Sequence, residues 1–282
     1  MDNMIFELKN VYFSYLGKFP ALNGIDIKIQ KGQKISIVGA NGSGKSSFLQ
    51  ILDGLIFADS GSVNFYGREL NEKNFNDDKF CRSFRQKVGF VFQNPDVQLF
   101  CPTVQEDIVF GPLHLGVEKK LIERRLERLV SILGLQGLLD RIPHQLSIGE
   151  KRKVAIASTL IIEPEILILD EPTAGLDPLT TRHIIDLLID TGASGKTIIT
   201  ATHDLHIVEE ISDIVYVFGC EKKIASFGKA SCILNDMELL KANNLLHIHS
   251  HRHKDTVHVH SHRPSGQGGA SSIGLDTHID HH

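Results

Sequence analysis

Between Gly39 and Ser46 the chain reads GANGSGKS, a stretch whose residue types can hold phosphate. The spacing is G-x-x-x-x-G-K-[ST], set between a short β-rich run, KISIVGA, and a helical one, KSSFLQILDGL. Gly39, Gly42 and Gly44, with Ala40, Asn41 and Ser43 between them, let successive backbone N–H groups turn inward onto phosphate oxygens. The helix that starts near Gly44 adds the positive end of its dipole, with Ser47 in its first turn. Lys45 can reach β- and γ-phosphates, and the Ser46 hydroxyl can ligate Mg²⁺. These residues are a candidate nucleotide phosphate site.

Later residues complement it. EILILDE, Glu165 to Glu171, is an apolar strand ending in paired acids. Asp170 can hold Mg²⁺ through water, and Glu171 is placed to orient or deprotonate an attacking water. Upstream, LSIGE (Leu146 to Glu150) opens the helix EKRKVAIASTLI. Ser147 suits an N-cap there, and Gly149 lets the backbone approach a ligand closely. By themselves those residues are a helix start. In THD, His203 can stabilise charge developing on a transferring phosphate.

A framework of alternating strands and helices must position these groups. MIFELKNVYFSY and ALNGIDIKIQKGQ read as half-buried strands, and GSVNFYG as another between glycines. PEILILDEP, KTIITATHD and DIVYVFGC are continuous apolar runs of the kind buried in parallel sheets. From Val117 to Gly134 the apolar spacing is that of an amphipathic helix. The expected fold class is therefore α/β with a mainly parallel core sheet, and a helical lobe about 95–160 inserted into it.

Composition narrows the function. The chain has 282 residues, 41% of them apolar and 23% charged, which suffices for a substantial core. A net charge of −4 gives no footprint for nucleic acid. No apolar run approaches the roughly 20 residues of a membrane-spanning helix, and no charged-then-apolar leader follows Met1. Cys81, Cys101, Cys220 and Cys232 are scattered, so isolated thiols in a reducing compartment are expected.

The ordered set GANGSGKS, Gln93, LSIGE, ILILDE, AGLD and His203, following an aromatic near the start, resembles the ATP-binding cassette (ABC) family over residues 4 to 230. The resemblance implies a P-loop ATPase fold with a small antiparallel β subdomain beside the core sheet. It also implies a second cassette, identical or paralogous, paired head to tail, so that each ATP lies between one phosphate loop and the partner's LSIGE. Tyr15 would stack on adenine, with Tyr12 and Phe13 beside it; Gln93 would sense Mg²⁺ and water. Residues Ala174 to Asp177 would communicate across the dimer, and His203 would contact the γ-phosphate. The family's usual LSGGQ has become LSIGE, with Ile148 and Glu150 as departures. A carboxylate at Glu150 repels phosphate unless it points away.

FQNPDVQLFCPTVQEDIVFGPLHLG further resembles the ATPases of energy-coupling-factor importers, especially the cobalt and nickel type. That implies an integral membrane coupling protein, a substrate-binding membrane component, and a peripheral position on the cytoplasmic face of a prokaryotic membrane. Val97, Leu99 and Phe100 are core if buried and a docking surface if exposed. The leading expectation is an ATPase driving cobalt or nickel import. A vitamin importer of the same class, a soluble ABC ATPase and an ATP-binding metal-storage protein are the alternatives.

The ATPase domain is expected over 1–246. Residues 247–282 form a histidine-rich tail whose composition argues for disorder. In it His247, His249, His251 and His253 alternate with other residues, as do His258, His260 and His262. Alternation places imidazoles on one side of an extended chain, where several could share Co²⁺ or Ni²⁺.

Overall fold

The computed structural model describes residues 3–245 in full and, for the backbone alone, 247–253 and 256–262. The chain opens with β1 (Met4–Tyr15) and β2 (Phe19–Gln30), then β3 (Lys34–Gly39), which runs into α1 (Lys45–Leu52). Strands β4 (Ser60–Phe65) and β5 (Arg68–Glu69) follow, then α2 (Glu72–Phe75), α3 (Asp78–Lys87) and β6 (Val88–Val91). The helical lobe holds α4 (Val104–His114), α5 (Lys119–Leu133) and α6 (Ile148–Leu160). The chain returns through β7 (Ile166–Asp170), α7 (Pro178–Ala193), β8 (Thr197–Ala201), α8 (Leu205–Ile211), β9 (Ile214–Phe218) and β10 (Ile224–Lys229). Two short helices, α9 (Ala230–Asn235) and α10 (Met237–Ala242), precede β11 (His247–His253) and β12 (Thr256–His262).

The core sheet has the order β10-β9-β3-β8-β7-β6, parallel throughout except for the edge strand β10. Its central strands are apolar runs because both faces are covered: every residue of β7 and β8 is buried. A second sheet, β2-β1-β4-β5, is antiparallel and alternates buried with exposed residues. Phe6, Phe48, Phe65 and Phe84 belong to the core that joins the two sheets around α1. The expected layout of parallel sheet, antiparallel subdomain and helical lobe is what the chain adopts.

The lobe has its own core, in which Ile108 of α4, Ile122 and Leu133 of α5, and Val154 and Ala157 of α6 are all buried. Its α5 stops at Gly134, in the left-handed conformation that ends helices. Parallel strands put their C-terminal ends on one edge of a sheet. Here β3, β7 and β8, neighbours in the order given, deliver the phosphate loop, the paired acids and His203 to that edge.

In the histidine-rich segment, β11 and β12 pair only with each other. Composition argued for a chain without a core there. The backbone of these two strands forms an antiparallel ladder all the same, because ladder hydrogen bonds need only matched extended segments. Residues 263–282 of the expected tail lie outside the described residues.

Candidate active site

The phosphate loop owes its shape to two close approaches. Gly44 has φ +103°, and a Cβ there would lie 2.2 Å from the Ala21 carbonyl oxygen. Gly39 is held just as closely, since an added Cβ would lie 2.5 Å from Ser43 Oγ and 2.6 Å from the Phe218 carbonyl. Lys45 lies folded over the loop, its Nζ donating to the carbonyls of Gly39 at 2.8 Å and Ala40 at 3.3 Å. Burial pushes the Lys45 ammonium down from its usual range, and the charges of Glu171 and Asp170 push it back up. Ser43 Oγ is buried without a hydrogen-bond partner. A desolvated cation beside an unpartnered hydroxyl and a cradle of backbone N–H groups suits a polyphosphate.

Tyr15 borders this loop. Its hydroxyl lies 3.1 Å from Ser47 Oγ and 3.3 Å from Gln50 Oε1, and its ring packs edge-on against Phe13. The side chain stays exposed at 43%. Tyr12 and Phe13 are placed otherwise: the Tyr12 hydroxyl lies over Gly24, and Phe13 is in the core.

Asp170 ends β7 in a buried position, and burial raises its carboxyl above the usual carboxylate range. A hydrogen bond with Ser46 and the charges of Lys45 and Arg152 work in the opposite direction, while Glu171 adds to the rise. Asp170 Oδ1 has no partner. A buried, unpartnered carboxylate oxygen next to the Ser46 hydroxyl is an oxygen donor set of the type Mg²⁺ takes, so these residues fit the ion. Among the described residues no group of three or more His, Cys, Asp or Glu side chains forms a metal cluster of its own. A Mg²⁺ here would thus need oxygens from the nucleotide and water.

Glu171 follows in the left-handed region, at φ +47°. A non-glycine residue there carries strain that the surroundings must hold in place. They do so at two points: Glu171 N–H donates to the Ala201 carbonyl at 2.9 Å, and Oε2 lies 2.9 Å from His203 Nδ1. The side chain of Glu171 is buried while that of His203 is more than half exposed, so the imidazole is the group facing outward.

Ser147, Gly149 and Asp177 form a separate cluster at the starts of α6 and α7. Ser147 caps α6, accepting from Glu150 N–H at 3.3 Å, and Glu150 Oε2 accepts from Ser147 N–H at 2.8 Å. That reciprocal pair is a capping box. The carboxylate expected to repel phosphate is thereby turned back onto its own helix. Those bonds hold the Glu150 carboxyl below its usual range. A Cβ on Gly149 would meet Thr180 at an ordinary 3.6 Å, so nothing among the described residues demands glycine there. Asp177 caps α7 and accepts from Thr180 N–H at 2.9 Å. Among the described residues no hydrogen bond joins this cluster to the phosphate loop.

Gln93 lies just past β6, and its carbonyl is fixed by a residue the sequence did not single out. Arg152 of α6 is buried and donates to the carbonyls of Phe92 at 2.7 Å and Gln93 at 2.6 Å. The signal was available: Arg152 is one helical turn from Ile156 and in line with Thr159, both buried. Gln98 does a similar job, accepting from Phe92 N–H and donating to the Ala155 carbonyl. Lys222, from the turn between β9 and β10, reaches the Gly42 carbonyl of the phosphate loop. No local pattern foretells that contact, which depends on a distant turn.

The segment after Gln93 divides. Leu99 is buried in the lobe core, whereas Val97 and Phe100 are exposed at 63% and 65%. Buried Asp107 accepts from the N–H groups of both Phe100 and Cys101 at 3.0 Å, which fixes the loop that presents Phe100. Phe100 meets Phe110 edge-on, and Leu113 lies exposed farther along α4.

Residues 22–174 match the ABC transporter family. The nickel import ATP-binding protein NikO of Rhodobacter capsulatus is 47% identical over 244 residues, covering 86% of this chain and 95% of that protein. The energy-coupling factor transporter ATP-binding protein EcfA of Methanocaldococcus jannaschii is 41% identical over 241 residues, covering 86% and 85%. CbiO1 from Clostridium perfringens, described as part of the ABC transporter complex cbiONQ, superposes with a TM-score of 0.72 at 35% identity, covering 86% of this chain and 96% of that one. With its phosphate loop, paired acids and signature helix in family order, the chain belongs to the ABC transporter family, as an ATP-binding subunit that couples ATP hydrolysis to transport.

Proposed function

We propose that this subunit powers import of cobalt or nickel through an energy-coupling-factor complex, working as one of two cassettes that sandwich ATP head to tail. The observation that carries the sandwich is the division of the site residues. The phosphate loop, Asp170, Glu171 and His203 share one sheet edge, and Ser147, Gly149 and Asp177 lie in a second cluster with no hydrogen bond to the first. A second cassette, of the same sequence or a paralogue, would bring its Ser147 and Gly149 to the open side of the first phosphate loop. A γ-phosphate between them would bridge the two chains. The nickel import name of one relative supports the metal cargo. A shared ATPase serving a vitamin importer would use the same chemistry with different cargo, and the EcfA relative keeps that reading in view.

Lys45 and the loop N–H groups would hold the β- and γ-phosphates, with Tyr15 against the base. Ser46 and Asp170, with Gln93, would hold Mg²⁺, which when bound offsets charge on the phosphate oxygens. Glu171 would orient the attacking water and accept its proton. His203 holds the Glu171 carboxylate at 2.9 Å and would direct its other ring nitrogen to the γ-phosphate. Loss of the bridging phosphate would let the cassettes separate, an order-of-contact switch. The exposed Val97 and Phe100 in the segment after Gln93, with Leu113 farther along α4, would pass that movement to a membrane coupling protein. No helix among the described residues is long and apolar enough to cross a membrane, so attachment to the cytoplasmic face would come through that partner.

One kinetic series tests this reading. Turnover of the purified chain should rise more steeply than its concentration at dilutions where it is monomeric, and Glu171→Gln should bind ATP but turn over at least about 100-fold more slowly. A strictly linear dependence would overturn the sandwich, and robust turnover by the variant would remove Glu171 from its role.

A further inference from the structure

The phosphate loop is braced by two ammonium groups from different parts of the chain. Lys45 folds over it and donates to the carbonyls of Gly39 and Ala40. Lys222, in the turn between β9 and β10, donates to the carbonyl of Gly42. The end of β9 also presses on the loop at its first residue, where a Cβ on Gly39 would lie 2.6 Å from the Phe218 carbonyl. One strand end and the turn after it thus meet the loop at both Gly39 and Gly42.

Within the loop, Ser43 N–H donates to the Ala40 carbonyl at 3.1 Å and closes a turn with Asn41 and Gly42 at its centre. Gly42 has φ +75°, the value a type II turn takes at its third residue. In a trans peptide the C=O and N–H point opposite ways. A cation that holds the Gly42 carbonyl therefore also fixes the Ser43 N–H that closes the turn. Glycines give such a loop many other conformations, so a tie from outside has something to restrict. A loop already ordered loses less freedom when it closes on phosphates.

The turn that carries Lys222 is itself fixed. Asn23 of β2 donates its N–H to the Lys222 carbonyl at 2.9 Å and its Nδ2 to the Glu221 carbonyl at 3.4 Å. Lys222 has φ +64°, which strains a lysine and not a glycine. A turn that needed only its shape would be better served by glycine. The side chain at this strained position is the one that reaches the loop, whereas the Nζ of neighbouring Lys223 lies 4.0 Å from Glu221 Oε2.

We propose that Lys222 is a positioning residue for the nucleotide: it holds the phosphate loop in its binding shape and so raises affinity for ATP and ADP alike, with no part in the hydrolytic step. This rests on the reading of the loop as the phosphate site. The tie acts on the loop whether or not a γ-phosphate is present, so its loss should raise KM and spare kcat.

The test titrates the full chain with ADP and Mg²⁺ calorimetrically, which keeps the ATP sandwich out of the measurement. Lys222→Met and Lys222→Gly should each bind roughly fivefold more weakly than the natural chain, the worth of a hydrogen bond from a charged group. Lys222→Arg, which keeps charge and donors, should recover most of the affinity, and Lys223→Met should bind as the natural chain does. Lys222→Gly should have a thermal midpoint equal to or above the natural one, since glycine relieves the backbone strain. With ATP, Lys222→Met should show a raised KM and a kcat within about twofold of the natural value. Unchanged affinity in Lys222→Met, equal loss in Lys223→Met, or no recovery in Lys222→Arg would overturn the proposal. So would a midpoint that falls together with affinity in Lys222→Gly, which would make the residue a support of the fold alone. A natural chain that binds no ADP would instead overturn the reading of the loop as a phosphate site.

Discussion

In the proposed sandwich Glu150 would stand near the γ-phosphate of the second cassette, yet its carboxylate is committed to the Ser147 N–H at 2.8 Å. The helix start tolerates a carboxylate because a first-turn acid complements the helix dipole. Glutamine can make the same reciprocal bond without the charge. Glu150→Gln should therefore leave the thermal midpoint nearly unchanged while lowering the ATP concentration for half-maximal turnover, with the effect fading in high salt. Ser147→Ala removes the cap itself and should cost about 1 kcal/mol in denaturant unfolding. A fall in stability with Glu150→Gln as large as with Ser147→Ala would mean that the charge, and not the bond, holds the helix start. Glu171 differs from both, since its strained backbone and its bond to His203 hold one carboxylate at the mouth of the site.

Between elements, Arg152 is the principal tie. It projects from α6 of the lobe to the two carbonyls just past β6, and so ties the signature helix to the Gln93 segment. Burial works against its charge, and Asp170 and Glu171 work in its favour. Arg152→Ala would strand two carbonyls and leave the buried acids without that charge, a loss of about 3 kcal/mol by analogy with broken buried pairs. Arg152→Lys should not restore function, because an ammonium cannot make the fork to two carbonyls. Equilibrium unfolding with single-turnover ATP hydrolysis checks both points. Arg152→Lys with natural stability and turnover would show that charge suffices. In the same register, Asp107 holds the loop bearing Phe100, so an exposed apolar residue is presented by a fixed backbone.

At the scale of the molecule, stability should carry the mark of one buried acid. Asp53, at the end of α1, is raised from its ordinary 3.8 to about 6 by burial, against the opposing charge and hydrogen bond of Arg85 at 2.8 Å. The folded state thus holds a proton that the unfolded state releases between those values. Its contribution is complete below about pH 4 and is lost as pH rises through about 6, a change of about 3 kcal/mol for a shift of two units. Asp53→Asn should flatten this part of the pH dependence. The thermal midpoint of the variant relative to the natural chain should accordingly rise from pH 4 to pH 7. A constant difference across that range would show that Asp53 does not titrate there.

Much of this protein is local in origin. The strands β3, β7, β8 and β9 are legible as apolar runs because a strand covered on both faces has no use for alternation. The phosphate loop is legible because its glycines, Lys45 and Ser46 keep a fixed local spacing, although Gly44 and Gly39 also answer to the distant carbonyls of Ala21 and Phe218. The lobe helices follow from the 3.6-residue period and from caps such as Ser147 and Gly134. Other features come from residues far apart in sequence. The pairing of Glu171 with His203, the reach of Lys222 to Gly42, the burial of Leu99 beside an exposed Phe100, and Arg152 on the Gln93 carbonyl all span separate elements. The sequence by itself determined which elements form and which chemistry they carry, because propensity, period and turn geometry act over short stretches. Tertiary structure alone decided which of those groups meet, because contact between distant residues depends on how the sheets and the lobe pack.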